Sequence, residues 1–353
     1  MESQGRLRAV EDPEMRSGAP PPVSILLPVR NGGPFVSEAI ESMLGQSFSS
    51  FELLVVDDGS TDETPDVLRA LADADSRIQV VRQEAEGVVA ALELARQRAR
   101  GRYLARMDAD DVALPGRLKA QVELMEANPR LVVVGTQVAY FPREQVRVGA
   151  LRYERWVNSL VDHDALVRDI FVECPIPHPT FLLRASTVDL VGGYRSREWP
   201  EDYDLVLRLW EAGGRMGKVP AVLLKWREGE ARLSRSHPAY SEEAFRRCKV
   251  HHLLRTHLSA GRRVVVWGAG PVGKAFAREL QAQGGHLAAF VDLDPRKIGQ
   301  EIHGAPVIPP GEASAYSDAF SVAAVGKGRA REEIRSALTE LGWEEMEDFV
   351  AVA

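Results

Sequence analysis

The sequence has very little cysteine. Cys174 and Cys248 are the only two among 353 residues, and they lie far apart, outside any spacing typical of metal ligands. Two isolated thiols exclude a disulfide-rich secreted scaffold and a cysteine-based zinc site. They are typical of a chain kept in a reducing compartment, so we expect a cytoplasmic protein.

The sequence also lacks a long hydrophobic run. No stretch approaches the roughly 18 consecutive apolar residues that a membrane span needs. The first 22 residues, MESQGRLRAVEDPEMRSGAPPP, carry charges of both signs and end in three prolines, so they lack the apolar core of a signal peptide. We expect residues 1–22 to be a disordered leader and the chain to have no transmembrane segment.

A surplus of basic residues is missing as well. The 44 Lys and Arg residues against 51 Asp and Glu residues give a net charge of -7. Proteins that bind nucleic acids usually carry a basic surplus, so we expect no nucleic-acid partner. The apolar share of 45% is that of a soluble globular protein, and the length is sufficient for two domains.

What the sequence does contain is a regular alternation of apolar strands and helical patterns. The predicted strands are VSILLPV at 23–29, FELLVVDDGS at 51–60, IQVVR at 78–82 and RYLARM at 102–107. Such alternation predicts an α/β fold with a mostly parallel sheet and helices on its faces. In these sheets ligands bind outside the carboxyl ends of the strands.

Carboxylates cluster at two of these strand ends. Asp57 and Asp58 end the second strand, and Asp108, Asp110 and Asp111 follow the fourth. Like charges this close repel one another unless a cation neutralises them, and oxygen ligands suit magnesium or manganese. The triplet by itself leaves a second interpretation open, a solvated acidic turn or helix cap.

Four stretches in order, VSILLPVRNGG, LLVVDDGSTDET, ARMDADD and WPEDYDLVLRL, resemble family 2 glycosyltransferases of the GT-A fold. The resemblance covers about residues 23–236 and implies a nucleotide-diphospho-sugar transferase domain with a mostly parallel central sheet. It implies an inverting, metal-dependent transfer from a nucleoside-diphosphate sugar, with UDP-sugar favoured. The acceptor would be a hydroxyl of a glycan or lipid-linked molecule in envelope polysaccharide synthesis. A lipid-linked acceptor would bring the protein into peripheral contact with the inner face of the membrane.

The resemblance also assigns roles in donor binding. Asp108-Ala109-Asp110 matches the family's Asp-x-Asp motif, which makes Asp110 the main ligand of a Mn²⁺ or Mg²⁺ ion. Asp108 would face the donor ribose or the water shell of the metal. Asp111 would be a supporting neighbour that caps the following turn. The motif therefore predicts where the donor diphosphate binds.

Nucleotide binding is assigned to the first two strand ends. Pro28, Val29 and Arg30 stand where the family lodges the base, and Asp58 matches the residue that accepts a hydrogen bond from it. For Asp57 and Asp58 a simple turn is the other interpretation, because Asp-Gly favours one.

Glu201-Asp202 matches the family's catalytic acidic pair. Asp202 would be the base that takes the acceptor's proton, and Glu201 its supporting neighbour. A helix N-terminus, where acidic residues favour the dipole, is the other interpretation, and both can hold together.

The acceptor side is less clearly marked. His178 and Trp199 stand where related sequences approach the acceptor, and each could equally be a core residue. Many relatives carry a metal-ligating histidine after the last strand. In this chain the aligned stretch, KWREGEARLSRSH, has Gly229 near that place. His237, at the end of the stretch, is the candidate to replace that histidine as a metal ligand. The sequence therefore leaves the third metal ligand open. We expect solvent-facing side chains for the histidines of the next helical stretch, at positions 251, 252 and 257.

The remaining chain predicts a helical connector over residues 237–260 and a small Rossmann-like α/β domain over residues 261–353. Gly268, Gly270 and Gly273 have the G-x-G-x-x-G spacing for a tight turn, phosphate approach and close helix packing, and Asp292 is spaced to meet a ribose. The domain resembles nucleotide-sugar-binding domains of sugar acyltransferases and generic NAD-binding folds.

Two interpretations of this second domain stay open. It could bind a nucleotide or NAD, or it could be a docking or dimerisation module. For the whole chain, the alternative to a transferase is a non-catalytic nucleotide-sugar or dinucleotide sensor acting through this domain. An NAD-dependent oxidoreductase ranks third because it rests on the glycine fingerprint only. The sequence does not indicate the oligomeric state.

Overall fold

The structure is a computed structural model that describes residues 20–229, 237–326 and 328–353. Most of the expected leader, residues 1–19, lies outside the described residues. So do residues 230–236, most of the stretch aligned with the relatives' metal-ligating histidine. The chain forms two β-sheets, one in a first unit (residues 20–229) and one in a second unit (residues 237–353).

The first unit contains eight strands in the order β3-β2-β1-β4-β7-β6-β8-β5. These strands are β1 Val23–Val29, β2 Phe51–Asp58, β3 Ile78–Gln83, β4 Tyr103–Arg106, β5 Val112–Ala113, β6 Leu131–Phe141, β7 Leu182–Arg184 and β8 Arg215–Arg227. The helices are α1 Gly33–Leu44, α2 Thr64–Ala74, α3 Val88–Arg98, α4 Arg117–Ala127, α5 Val148–Ser159, α6 His163–Arg168, α7 Ala185–Leu190 and α8 Glu201–Glu211.

Strand β1 lies between β2 and β4. Every one of its residues is buried, because its side chains pack in turn on the two faces of the sheet. Val29 of β1 pairs in parallel with Asp57 of β2, and Leu26 pairs in parallel with Arg106 of β4. The chain thus leaves β1 toward β2 on one side and later reaches β4 on the other. This switch opens a crevice at the carboxyl ends of the three strands, as the sequence predicts.

The second unit contains a smaller sheet in the order β11-β12-β10-β9-β13-β14, in which only the β11–β12 pair is antiparallel. Its strands are β9 Val264–Trp267, β10 Leu287–Val291, β11 Glu301–Ile302, β12 Ala305–Ile308, β13 Phe320–Ala323 and β14 Phe349–Ala351. Its helices are α9 Glu242–Arg255, α10 Pro271–Ala282 and α11 Gly328–Glu340. The second unit is therefore an α/β fold with a mainly parallel sheet.

The glycine fingerprint forms the turn between β9 and α10. Gly268 has a φ of 110°, and a Cβ on Gly273 would lie 1.8 Å from the carbonyl oxygen of Gly268. Both positions therefore need glycine for the turn and for close helix packing. A Cβ on Gly270 would meet no atom within 4 Å.

The two units share one hydrophobic core. Phe171 and Tyr203 of the first unit pack in the same cluster as Phe276 and Phe320 of the second. Lys249 on α9 donates hydrogen bonds to carbonyl oxygens of both units, those of Val172 (2.6 Å) and Val352 (2.9 Å). Within the described ranges, no helix is long and apolar enough to cross a membrane.

The expectation that the three histidines face solvent was wrong. His252 is 1% exposed, and its Nδ1 lies 2.5 Å from a carboxylate oxygen of Glu211. The ring of His257 stacks on Phe320 at 5.0 Å. Helix α9 packs against both α8 and α10 in the core that joins the two units, so histidines that a connector would expose become enclosed.

Candidate functional site

Asp108, Asp110 and Asp111 form a cluster on the loop between β4 and β5. One carboxylate oxygen from each lies within 4.8 Å of the others, the spacing at which three carboxylates can share one metal ion. The short loop brings them together because β4 ends at Arg106, two residues before the first of them. The sequence therefore predicted both the members and the location of this cluster.

Two buried arginines lie next to the carboxylates. Arg106 Nη2 donates a 2.5 Å hydrogen bond to Asp108, and Arg117 Nη2 donates a 2.6 Å bond to the carbonyl oxygen of Arg106. Burial opposes the charge of Arg106, but the Asp108 carboxylate raises its pKa. Burial lowers the pKa of Arg117 to about 9. Neither arginine was among the predicted site residues, although an arginine inside the apolar run ARM is a visible signal.

Asp111 supports the loop by binding a distant strand, whereas the sequence predicts that it caps the following turn. Its Oδ1 accepts a 2.7 Å hydrogen bond from the backbone N–H of Arg227, at the end of β8. The Arg227 side chain donates a 2.6 Å bond to the carbonyl oxygen of Asp110. Asp111 thus ties the cluster to a distant strand, because β8 ends beside this loop in the folded sheet.

The two aspartates at the end of β2 have different environments. Asp57 accepts a bond from the backbone N–H of Ser60 at 2.9 Å, which closes the turn formed by Asp58-Gly59. Asp58 lines the cleft and accepts bonds from Gln83 Nε2 and the N–H of Glu86, both at 2.8 Å. Asp58 therefore holds the loop before α3 at the edge of the cleft. The residues predicted to lodge the base line the same cleft: Pro28, Val29 and Arg30.

Glu201 and Asp202 begin α8, directly after Pro200. Glu201 is 4% exposed and its Oε2 accepts a 2.7 Å hydrogen bond from the Tyr240 hydroxyl. Burial, reinforced by the charge of Glu201, raises the pKa of Asp202 to about 8. Burial also raises the pKa of Glu201. The pair occupies a helix N-terminus and the cleft at once, so the two interpretations of the sequence are compatible.

His178 lies against Glu201. Its Nε2 is 3.0 Å from the Tyr194 hydroxyl, and its Nδ1 is 3.7 Å from a carboxylate oxygen of Glu201. Burial, with a further contribution from the charge of Arg106, places the pKa of His178 well below its ordinary value. A neutral imidazole therefore lines the cleft beside the acidic pair.

Trp199 lines the cleft from the loop before α8, and its indole N–H donates a 3.0 Å bond to Asp204. Asp204 also accepts a 2.7 Å bond from Arg208 Nε. Asp204 was not among the predicted site residues, although an Asp and an Arg four residues apart on a helix signal such a pair. His237 and Gly229 line the cleft as well.

These side chains converge on one cleft of about 1710 Å³. Its walls come from both units, since Pro271, Val272 and Phe276 of α10 line it together with the acidic residues of the first unit. Asp110 and Asp202, predicted from motifs far apart in the sequence, both face this cleft. The arrangement can hold a cation and an anionic ligand at one end and supply a basic carboxylate nearby.

The predicted nucleotide residues of the second unit do not line this cleft. Gly270 lines an adjoining pocket of about 470 Å³ together with Lys274 and Lys297, and this pocket shares Pro271 with the cleft. Asp292 reaches the glycine turn, where its Oδ2 accepts bonds from Ala269 N–H (2.8 Å) and Lys297 Nζ (2.9 Å). The carboxylate of Asp292 thus binds the glycine turn itself, and its contact with a ribose stays a prediction.

Comparison with known proteins gives a consistent result. The sequence model of the family described as "Glycosyl transferase family 2" matches residues 24–189. The chain is 34% identical over 232 residues to "Putative glycosyltransferase EpsE" of Bacillus subtilis (64% of this chain, 80% of that protein). It is 28% identical over 240 residues to "Amylovoran biosynthesis glycosyltransferase AmsE" of Erwinia amylovora (63% and 86%).

Solved structures share the fold. The crystal structure of S. aureus TarS 1-349 in complex with UDP-GlcNAc matches with a TM-score of 0.51 at 18% identity, over 66% of each chain. At this identity the likeness concerns the fold only.

Proposed function

The chain belongs to glycosyltransferase family 2, and from this membership we propose that it is an inverting, metal-dependent transferase. It would move a sugar from a UDP-sugar to a hydroxyl group of a glycan or lipid-linked acceptor in envelope polysaccharide synthesis. One observation carries the proposal: a three-carboxylate cluster and an acidic pair with raised pKa values line the same cleft. The name of the relative AmsE, with its reference to amylovoran biosynthesis, supports the biosynthetic setting.

The residues of the cluster fit a divalent cation. The donor set consists of oxygen atoms, which suit Mn²⁺ or Mg²⁺ better than softer metals. Asp110 and Asp108 would hold the ion, and Arg106 keeps Asp108 in place through its hydrogen bond. When bound, the ion would stabilise the negative charge that develops on the departing diphosphate.

Asp202 would act as the general base. The acceptor oxygen attacks the anomeric carbon while its proton passes to the Asp202 carboxylate, and the bond from that carbon to the diphosphate oxygen breaks. A single displacement of this kind inverts the configuration of the sugar. Because burial raises the pKa of Asp202 to about 8, its ionised form is a far stronger base than an ordinary carboxylate.

The donor base would lie at the end of β1. Pro28, Val29 and Arg30 line that part of the cleft, and Asp58 would accept a hydrogen bond from the base. Its oxygens already order the neighbouring loop, so this wall of the nucleotide site is formed before the donor arrives. The TarS complex with UDP-GlcNAc makes a UDP-sugar the first donor to test.

Calorimetric binding of UDP, dTDP, GDP and NAD, each with and without Mn²⁺, tests the proposal. We expect manganese-dependent binding of one nucleoside diphosphate, UDP first. The matching sugar nucleotides are then assayed for release of the nucleoside diphosphate. Binding of NAD without metal and of no nucleoside diphosphate would move the function to the second unit and overturn the proposal.

A further inference from the structure

We propose that Tyr240 is a positioning residue for the acidic pair: its hydroxyl, supplied by the turn at the start of the second unit, fixes Glu201 beside Asp202. The inference rests on the proposed function, and it adds a residue that the first unit does not contain. It also gives the second unit a part in the transfer reaction, because that unit holds the turn in place.

The contact itself is direct. The Tyr240 hydroxyl donates a 2.7 Å hydrogen bond to Oε2 of Glu201, across 39 positions of sequence. The other oxygen of Glu201 faces His178 Nδ1 at 3.7 Å. Each carboxylate oxygen thus has its own neighbour, and the hydrogen bond from Tyr240 orients the carboxylate. All three side chains line the cleft that holds Asp202.

The position of Tyr240 is set by the start of α9. Tyr240 ends the short 3₁₀ turn Pro238–Tyr240, and the next residue, Ser241, caps α9 through a 3.2 Å bond from the N–H of Ala244. One turn further along, the Phe245 ring packs 5.7 Å from the ring of Tyr203 on α8. The backbone of Tyr240 is therefore anchored to the start of α9, which packs against α8.

The rest of the second unit holds α9 in place. Helix α9 packs along α10 of the second unit. Lys249 on α9 donates to the carbonyl oxygens of Val172, in the first unit, and Val352, next to strand β14. A shift of the second unit would therefore displace α9 and the hydroxyl that contacts Glu201.

The chemical effect follows from the direction of the hydrogen bond. A hydroxyl donating to a carboxylate stabilises its ionised form, so Tyr240 orients Glu201 and opposes the rise that burial causes in its pKa. The other ionisable groups acting on Glu201 are Arg106, Asp108, His178 and Asp202. Without the hydroxyl, Glu201 takes up a proton at a higher pH and no longer has a fixed orientation beside the base.

Tyr240→Phe tests the inference, since it removes one oxygen and keeps the ring. The assay is nucleoside diphosphate release from the fastest donor among UDP-GlcNAc, UDP-glucose, dTDP-glucose and GDP-mannose, with Mn²⁺. We expect kcat to fall about tenfold, the size of one lost charged hydrogen bond, with KM for the donor within about twofold. The acidic limb of the pH profile, which reports Asp202, should move to lower pH, because a less ionised Glu201 raises the pKa of Asp202 less. Tyr316→Phe, in the second unit outside the cleft, is the matched control and should behave as wild type.

A double-mutant cycle separates positioning from general damage. If Tyr240 acts through Glu201, adding Tyr240→Phe to Glu201→Gln lowers kcat no further than Glu201→Gln does. Additive losses would overturn the inference, and so would a wild-type kcat and pH profile for Tyr240→Phe, while the proposed function stands. If the wild-type chain releases no nucleoside diphosphate from any donor, the proposed function and the inference both fall.

Discussion

Asp169 and Arg335 form a buried ion pair that joins the two units, with Arg335 Nη2 2.5 Å from Asp169 Oδ1. The two residues are 2% and 8% exposed, respectively. Arg335 also contacts Glu345 at 2.8 Å, and Asp169 accepts a 2.7 Å bond from the indole N–H of Trp156. Burial disfavours the charge of Asp169, but its bonds to Trp156 and Arg335 outweigh this effect and lower its pKa.

Arg335→Met should therefore destabilise the protein strongly. It leaves Asp169 and Glu345 without their main cation, and breaking a buried pair in this way costs about 3 kcal/mol. Guanidinium unfolding at pH 7 measures the loss. Arg263→Met, which breaks an exposed pair with Asp318, should cost less than about 1 kcal/mol. Equal losses for the two variants would show that the pair does not join the units energetically.

Asp202→Asn should abolish transfer and spare donor binding. The amide keeps the shape of the side chain but cannot accept the acceptor's proton, so kcat should fall by about 10²- to 10⁴-fold. Manganese-dependent UDP binding, followed by calorimetry, should stay within about twofold of wild type. Asp318→Asn, on the surface of the second unit, is the control. Turnover of the Asp202 variant at the wild-type rate would remove the assigned role.

The activity should increase with pH across the neutral range. Asp202 must lose its proton before it can act as base, and burial raises its pKa to about 8. The folded pKa is higher than that of an ordinary aspartate, so the ionised fraction falls as pH decreases from about 8. Initial rates between about pH 5.5 and 9.5 give the midpoint of the acidic limb. A midpoint near the ordinary carboxyl value would contradict the environment described for Asp202.

Asp110→Asn should weaken the metal-dependent part of donor binding. Losing one charged oxygen from the three-carboxylate cluster should lower UDP affinity in Mn²⁺ by about tenfold or more, because metal affinity depends on ligand charge. Calorimetry without Mn²⁺ should give the same weak binding for this variant and wild type. Full wild-type affinity in Mn²⁺ would exclude Asp110 as the main ligand.

The glycines of the second unit should respond differently to alanine. Gly273→Ala places a Cβ 1.8 Å from a backbone oxygen and should lower the thermal midpoint by several degrees. Gly270→Ala meets open space and should leave the midpoint unchanged. Loss of nucleotide or NAD binding in Gly270→Ala, at unchanged stability, would establish a ligand site there. Equal destabilisation by both would instead assign the two glycines to the turn only.

The features that the sequence predicted are local ones. Strands such as VSILLPV at 23–29 are continuous apolar runs, and the carboxylates follow them directly, so parallel pairing brings Asp57 and Asp108 to one edge. Helices α5 and α6 lie within residues 143–175, a stretch in which the sequence shows no recognisable strand or helix pattern. Helix α5 buries Glu154, whose partners are the backbone N–H of Tyr140 and the side chain of Arg143. A buried charge breaks the apolar periodicity by which a helix is recognised.

Long-range contacts explain what else was missed in the site. Tyr240 meets Glu201 across 39 positions, and Arg227 meets Asp111 across 116. Neither tyrosine nor arginine has a spacing that signals such a partner. The residues of the motifs were therefore predictable, whereas the side chains that orient them became visible only in the folded chain.

The core shared by the two units determines how the protein comes apart. Phe171 belongs to the first unit and Phe276 to the second, and both pack in the same cluster, so loss of packing in either unit exposes apolar surface of the other. The shared cluster therefore couples the unfolding of the two units. Because the cleft is lined by residues of both units, the same packing also holds its two walls together.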